Sequence, residues 1–175
     1  MATIEVVRGD ITRERVDAVV TAANESLLGG GGVDGAIHRA AGPRLAEAGG
    51  AIGPCPPGAA VVTPAFDLDP PVRYVIHTVG PVWEGGGYGE AEVLASCYRC
   101  CLAVADEVGA RSVAFPAIAT GVYGFPAERA ARTAVDTLRS TPSEVERIRL
   151  VAFDEETRTL LQAALDGPAP ATPAD

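Results

Sequence analysis

Asp34 stands ten residues after Asn24, with four consecutive glycines, Gly29 to Gly32, between them and His38 one helical turn beyond. A second glycine-rich segment runs Ala119-Thr120-Gly121-Val122-Tyr123-Gly124-Phe125-Pro126. Residues without a Cβ let a chain turn tightly and bring its N–H groups against a ligand, and a helix that follows adds unpaired amides and a partial positive charge. Two such loops suit a pyrophosphate. The first departs from the G-x-G-x-x-G of ordinary dinucleotide folds, because Asn24 precedes the glycines and the carboxylate of Asp34 follows them. An amide and a carboxylate there point to sugar recognition. Two plainer readings stay open at this point: the glycines form simple turns, and Asp34 caps a helix.

The elements that must hold these loops are legible as pattern. Short β-branched runs at 4–7, 17–22, 59–63, 73–79, 111–117 and 147–153 predict buried strands. Helical patterns fall at 33–41, 91–108, 126–139 and 155–165, the third opened by Pro126. Alternation of the two predicts an α/β fold in one domain over 1–166. Each glycine loop follows a strand and precedes a helix, so both emerge at the carboxyl ends of strands, where open α/β sheets bind ligands. Stretches 51–58 and 84–89 are expected to be Gly/Pro loops, and 167–175 a disordered tail.

Composition removes several kinds of chemistry. All 14 basic residues are Arg, since the 175-residue chain contains no Lys, and the formal net charge is −9. Schiff-base and P-loop lysines are therefore excluded, leaving backbone amides, Arg and helix N-termini to receive a phosphate. The acidic balance argues against non-specific nucleic-acid binding. Four cysteines, three of them at 97, 100 and 101, form neither a disulfide framework nor a zinc pattern, so no metal is expected. The N-terminal residues lack a signal-peptide pattern, which with the absence of a membrane-spanning run predicts a cytoplasmic protein, expected to be a monomer.

GDIT at 9–12, VDAVVTAAN at 16–24, LLGGGGVDGAIHRAAGP at 27–43, CPPG at 55–58, YVIHTVGP at 74–81 and FPAIATGVYGFP at 115–126 occur in order. In these words, across about residues 4–165, the chain resembles the macrodomain family and its MacroD-type branch. The resemblance implies a three-layer α/β/α sandwich around a mixed sheet, with an ADP-ribose cleft across its top. Asp10 would accept a hydrogen bond from the adenine amino group, the Ile11 backbone would meet the ring, and Phe153 would lie beside it. Gly32 and Val33 would serve the phosphates from one side, and Thr120, Gly121, Val122, Tyr123 and Gly124 from the other, with Phe125 covering the distal ribose.

The resemblance also makes Asn24 and Asp34 the catalytic pair, Asn24 holding ribose hydroxyls and Asp34 positioning water, with His38 near Asp34. His77 takes no role. One position departs: the family commonly has asparagine where this chain has Thr21, and a hydroxyl cannot replace an amide's full set of donors and acceptor. The expected activity is a cofactor-free mono-ADP-ribosyl hydrolase that removes ADP-ribose from acidic side chains of proteins and deacetylates O-acetyl-ADP-ribose. The alternative is a non-catalytic ADP-ribose reader.

Overall fold

Buried β-branched runs pair into one sheet of six strands: β1 (Thr3–Arg8), β2 (Ala18–Ala22), β3 (Ala60–Pro64), β4 (Tyr74–Thr78), β5 (Ser112–Phe115) and β6 (Arg147–Ala152). The computed structural model describes residues 2–168, so the expected tail lies outside the described residues from 169 onward. Strand order is β1-β6-β5-β2-β4-β3. All neighbours are parallel except β3 and β4, which makes the sheet mixed.

Alternation along the strands assigns the two helical layers. Ala18 and Val20 of β2 and Ile76 of β4 pack with α3 (Glu90–Val108), α4 (Ala127–Ser140) and α5 (Glu155–Asp166) in one core. Val19 and Val75, one residue out of phase, pack on the other face with α1 (Gly32–Ala41) and α2 (Arg44–Ile52). The result is the expected α/β/α sandwich, and the period-two rule places Thr21 and His77, paired in register, on the α1 side. No helix among the described residues is long and apolar enough to cross a membrane.

One helix escaped the sequence reading. The stretch Arg44–Ile52 forms α2 although it carries adjacent glycines at 49 and 50, residues that disfavour a helix interior by about 1 kcal/mol each. Tertiary packing overrides that preference, because Gly49 lies flat against the backbone of Leu27. A Cβ built on Gly49 would fall inside contact distance of the Leu27 carbonyl oxygen and 3.1 Å from the Leu27 Cβ. Leu27 itself is fully buried in a left-handed conformation, φ 60°. The missed helix is thus the brace of the first glycine loop. Elsewhere the differences are small: α3 begins at Glu90, and Pro126 caps α4 from an extended conformation rather than starting it.

At the opposite end of the site, Arg149 on β6 ion-pairs with Glu5 on β1 and with Glu14. Glu14 directly follows a 3-10 turn at Ile11–Arg13, so the pairing ties the turn bearing Asp10 to the sheet edge.

Gly49→Ala tests the brace through its sign. At an ordinary helix position the change stabilises by about 1 kcal/mol, whereas here overpacking against Leu27 is expected to destabilise by roughly 1–3 kcal/mol in urea unfolding. A gain in stability would separate α2 from the loop.

Candidate functional site

A cleft of about 1180 Å³ crosses the carboxyl ends of β2, β5 and β6. It has the size of a small-molecule site. One wall is the loop after β2 and the start of α1, from Gly30 to Asp34, and the other is the loop after β5, from Ala119 to Tyr123. Each of the two loops contains a non-glycine residue with positive φ, Leu27 at 60° behind the first wall and Ala119 at 69° in the second. Such strain costs on the order of 1–3 kcal/mol and persists only where the surroundings over-determine it. Leu27 is pinned by α2, and Ala119 by the Phe125 N–H donating to its carbonyl at 3.0 Å.

Along the first wall, Gly31 supplies no side-chain cap to α1, which leaves the amides of that helix start facing the cleft with the partial positive charge of the dipole. Asp34 lies within the first turn and is only 2% exposed. It is not a cap. Its Oδ1 accepts a hydrogen bond from Thr21 Oγ1 at 2.8 Å, and Oδ2 has no partner among the described residues. The His38 Nε2 lies 3.5 Å from Oδ1, an ion-pair distance. Burial pushes the Asp34 carboxyl above its ordinary range, while the Thr21 hydrogen bond and the charge of His38 pull it back.

Asn24 reaches the same point from the end of β2. Its Nδ2 donates to the Gly29 carbonyl at 3.1 Å, and its Oδ1 accepts from Ser26 Oγ at 2.6 Å. A Cβ built on Gly30 would stand 3.4 Å from Asp34 Oδ2 and 3.5 Å from Asn24 Nδ2, which places the loop backbone next to both the carboxylate and the amide. Thr21 is fully buried and does not line the cleft. It acts on Asp34 rather than on a ligand sugar, and one hydroxyl suffices for that single hydrogen bond. His77, also buried, has its Nε2 2.9 Å from the Thr63 hydroxyl and is held neutral, lowered to about 4 by burial and then by His38.

Asp10, Ile11 and Phe153, the residues expected beside adenine, come together at one end of the cleft. Asp10 lines the cleft, its carboxyl held below the usual range by the Thr12 hydroxyl and amide it accepts from, and Ile11 lies beside it. Phe153 is 83% exposed at the cleft edge and so is not part of the core. Gly32, Val33, Thr120, Gly121, Val122 and Tyr123 all line the cavity. Gly124 and Phe125 do not. Phe125 is 2% exposed and packs under the loop with its ring centroid 4.8 Å from that of Trp83, so it supports the wall from behind instead of covering a sugar.

Sequence reasoning missed Arg39, the one cationic side chain among the described residues lining the cleft. A Cβ built on Gly35 would lie 3.2 Å from its Nη1 and 2.7 Å from the Gly30 carbonyl, which places the guanidinium near the first loop. The i, i+4 spacing of Gly35 and Arg39 was the available signal. Asp154 and Thr157 were missed too, at the start of α5, where Asp154 Oδ1 caps the helix by accepting from the Thr157 amide at 2.8 Å.

The buried Asp34 carboxylate works against the fold. With its native pKa raised above the unfolded value near 3.8, the folded chain binds more protons across that window, so this group's contribution is favourable in acid and lost as pH rises through the raised value. Asp34→Asn is therefore expected to stabilise the protein at pH 7 by on the order of 1 kcal/mol, with the advantage vanishing below about pH 3.8. Urea unfolding at both pH values checks this, and destabilisation at pH 7 would contradict it.

A cleft with an anion-ready helix start on one wall, a glycine loop on the other and a buried carboxylate between them has close parallels. The sequence pattern of the Macro domain matches residues 20–134. An O-acetyl-ADP-ribose deacetylase of Enterobacter cloacae subsp. cloacae is 53% identical over 169 residues, covering 93% of each chain. An Oceanobacillus iheyensis macrodomain variant with ADPR superimposes with a TM-score of 0.88 at 41% identity, covering 94% of this chain and 92% of that one. A Trypanosoma brucei macrodomain in complex with ADP-ribose gives 0.83 at 38% identity, covering 93% of this chain and 68% of the other. Sequence, fold and cleft agree, and this chain belongs to the macrodomain family.

Proposed function

We propose that the cleft binds ADP-ribose and that the chain hydrolyses O-acetyl-ADP-ribose and ADP-ribose esters on acidic side chains of proteins. The observation that carries this reading is Asp34: a buried carboxylate in a ligand-sized cleft, with one oxygen fixed by Thr21 and the other unpartnered beside Asn24. A fold rarely maintains an unpartnered buried carboxylate without a use for it. The relatives' names and ligands support the same reading.

In this reading the diphosphate lies on the amides of Gly32, Val33 and the 120–123 loop, adenine sits by Asp10 and Phe153, and the distal ribose reaches Asn24. Oδ2 of Asp34 holds a water and takes its proton, helped by burial, which raises its pKa above the ordinary carboxylate range. The water oxygen bonds to C1″ of the distal ribose, the C1″–O bond to the acyl group breaks, and the carboxylate departs with the electron pair. Acetate and ADP-ribose are the products from the acetyl ester. Positioning and preorganised dipoles carry the rate. A reader function has one observation in its favour, since both polar ends of the Asn24 amide are already engaged within the loop.

Turnover against binding separates the two. Asp34→Ala is expected to lower hydrolysis of O-acetyl-ADP-ribose by about 10²- to 10⁴-fold while ADP-ribose affinity in calorimetry changes far less. Equal losses in both, or no turnover by the unaltered protein, favour the reader.

Leaving-group chemistry sets the linkage. A side-chain carboxylate, with a conjugate acid near 4, leaves without a proton, whereas a serine alkoxide needs an acid at the moment of cleavage. The chain has no lysine, and His38 is the imidazole beside Asp34. Peptides modified on Glu are expected to release ADP-ribose faster than peptides modified on Ser at equal concentration. Faster release from serine would reveal an acid elsewhere in the cleft.

A further inference from the structure

The 120–123 wall has little of its own to hold it in place. Val122 is fully exposed, a Cβ on Gly121 would meet nothing within 4 Å, and the loop closes on itself through the Gly124 amide donating to the Gly121 carbonyl at 3.0 Å and the Phe125 amide donating to that of Ala119. Its flanks, Ile118, Ala119 and Phe125, sit in the core with Tyr123 packed against it, and the hydrogen bond that ties the 120–123 segment to another loop comes from Trp83. The Trp83 backbone amide donates to the Tyr123 carbonyl at 2.8 Å, and the indole stacks obliquely on Phe125. Arg129 lies over the same indole at 5.0 Å from the centroid.

Trp83 in turn opens the loop 83–89, which would be floppy by composition: four of its seven residues are glycine, and Gly85, Gly86 and Gly89 have φ of 94°, 90° and 76°. One side chain closes it. Glu90, the first residue of α3 and 3% exposed, accepts from the backbone amides of Glu84 and Gly86 through Oε2 at 2.9 and 2.8 Å, and from that of Tyr88 through Oε1 at 2.7 Å. These amides, Glu84 foremost, draw the carboxyl down to about 2. The closed loop sets Gly86 against the indole, where an added Cβ would stand 2.8 Å from Trp83 Cη2.

We propose that Glu90 is a positioning residue for the cleft: its carboxylate gathers the 84–88 amides, the gathered loop fixes Trp83, and Trp83 holds the Thr120–Tyr123 wall in its binding conformation. Glu90 itself does not line the cleft. A wall ordered in advance loses less freedom when a ligand arrives, so loosening it weakens the part of the ligand that the wall touches. The proposal rests on the ADP-ribose reading above, in which that part is the diphosphate and distal ribose.

The test uses Trp83, the single tryptophan of the chain, as its reporter. In Glu90→Gln an amide replaces one acceptor oxygen with a donor that opposes the backbone N–H groups. Titration of the folded variant by calorimetry is expected to show ADP-ribose affinity reduced by about tenfold or more, AMP affinity reduced much less, and Trp83 emission shifted to longer wavelength as the indole wets. Unchanged ADP-ribose affinity, or equal losses for ADP-ribose and AMP, would overturn the proposal. Should Glu90→Gln fail to fold, Glu90→Asp keeps the charge on a shorter arm and carries the same comparison; if neither folds, Glu90 is a requirement of the fold and not a positioning residue. Absence of ADP-ribose binding by the unaltered protein would bring down the ADP-ribose reading and this proposal with it, whereas equal binding by both proteins brings down the role of Glu90 alone.

Discussion

A carboxylate removed from water and given one hydroxyl for company is the constraint around which the site is built. Desolvation raises the Asp34 pKa, and only the Thr21 hydrogen bond and nearby His38 oppose it. Keeping Asp34 in place then requires a helix start aimed at the cleft, a strand residue of the right register beneath it, and a loop thin enough to pass between the carboxylate and Asn24. Gly35 meets the last condition, since a Cβ there would stand 2.7 Å from the Gly30 carbonyl and press on the loop. A buried carboxylate that costs stability is a common pattern at functional sites.

The second constraint is electrostatic. A chain of net charge −9 without lysine is a poor partner for a dianion at long range, and Asp10, Asp34, Asp154 and Glu156 all line the cleft. Anion recognition therefore rests on dipoles held at short range: the free amides at the start of α1 and the backbone of the 120–123 loop, with Arg39 as the one full positive charge nearby among the described residues. Backbone amides work only when the backbone is rigid. Much of the surrounding architecture serves that end, from α2 wedged under Leu27 to the Glu90 loop behind Trp83 and the Arg149 pairings behind Asp10.

By itself, the sequence determined the strands, four of the five helices, the α/β class, the two glycine loops and the Asn24–Asp34 pair, because these depend on local periodicity, on turn chemistry and on words specific to one family. The lysine-free composition also settled how an anion would have to be held. What only the tertiary structure decided is the work of residues whose partners are distant in the chain. Helix α2 forms against its glycines because Leu27, 22 positions away, leaves no room for a side chain at 49. Thr21 is a support for Asp34 because the β2–α1 packing brings hydroxyl and carboxylate together. Phe125 turns inward because an indole from another loop waits there, and Phe153 stays outside because β6 ends at the cleft edge. Burial, and with it the raised pKa of Asp34, belongs to no residue alone: it arises when two layers close over a side chain, and that closure is a property of the packed fold.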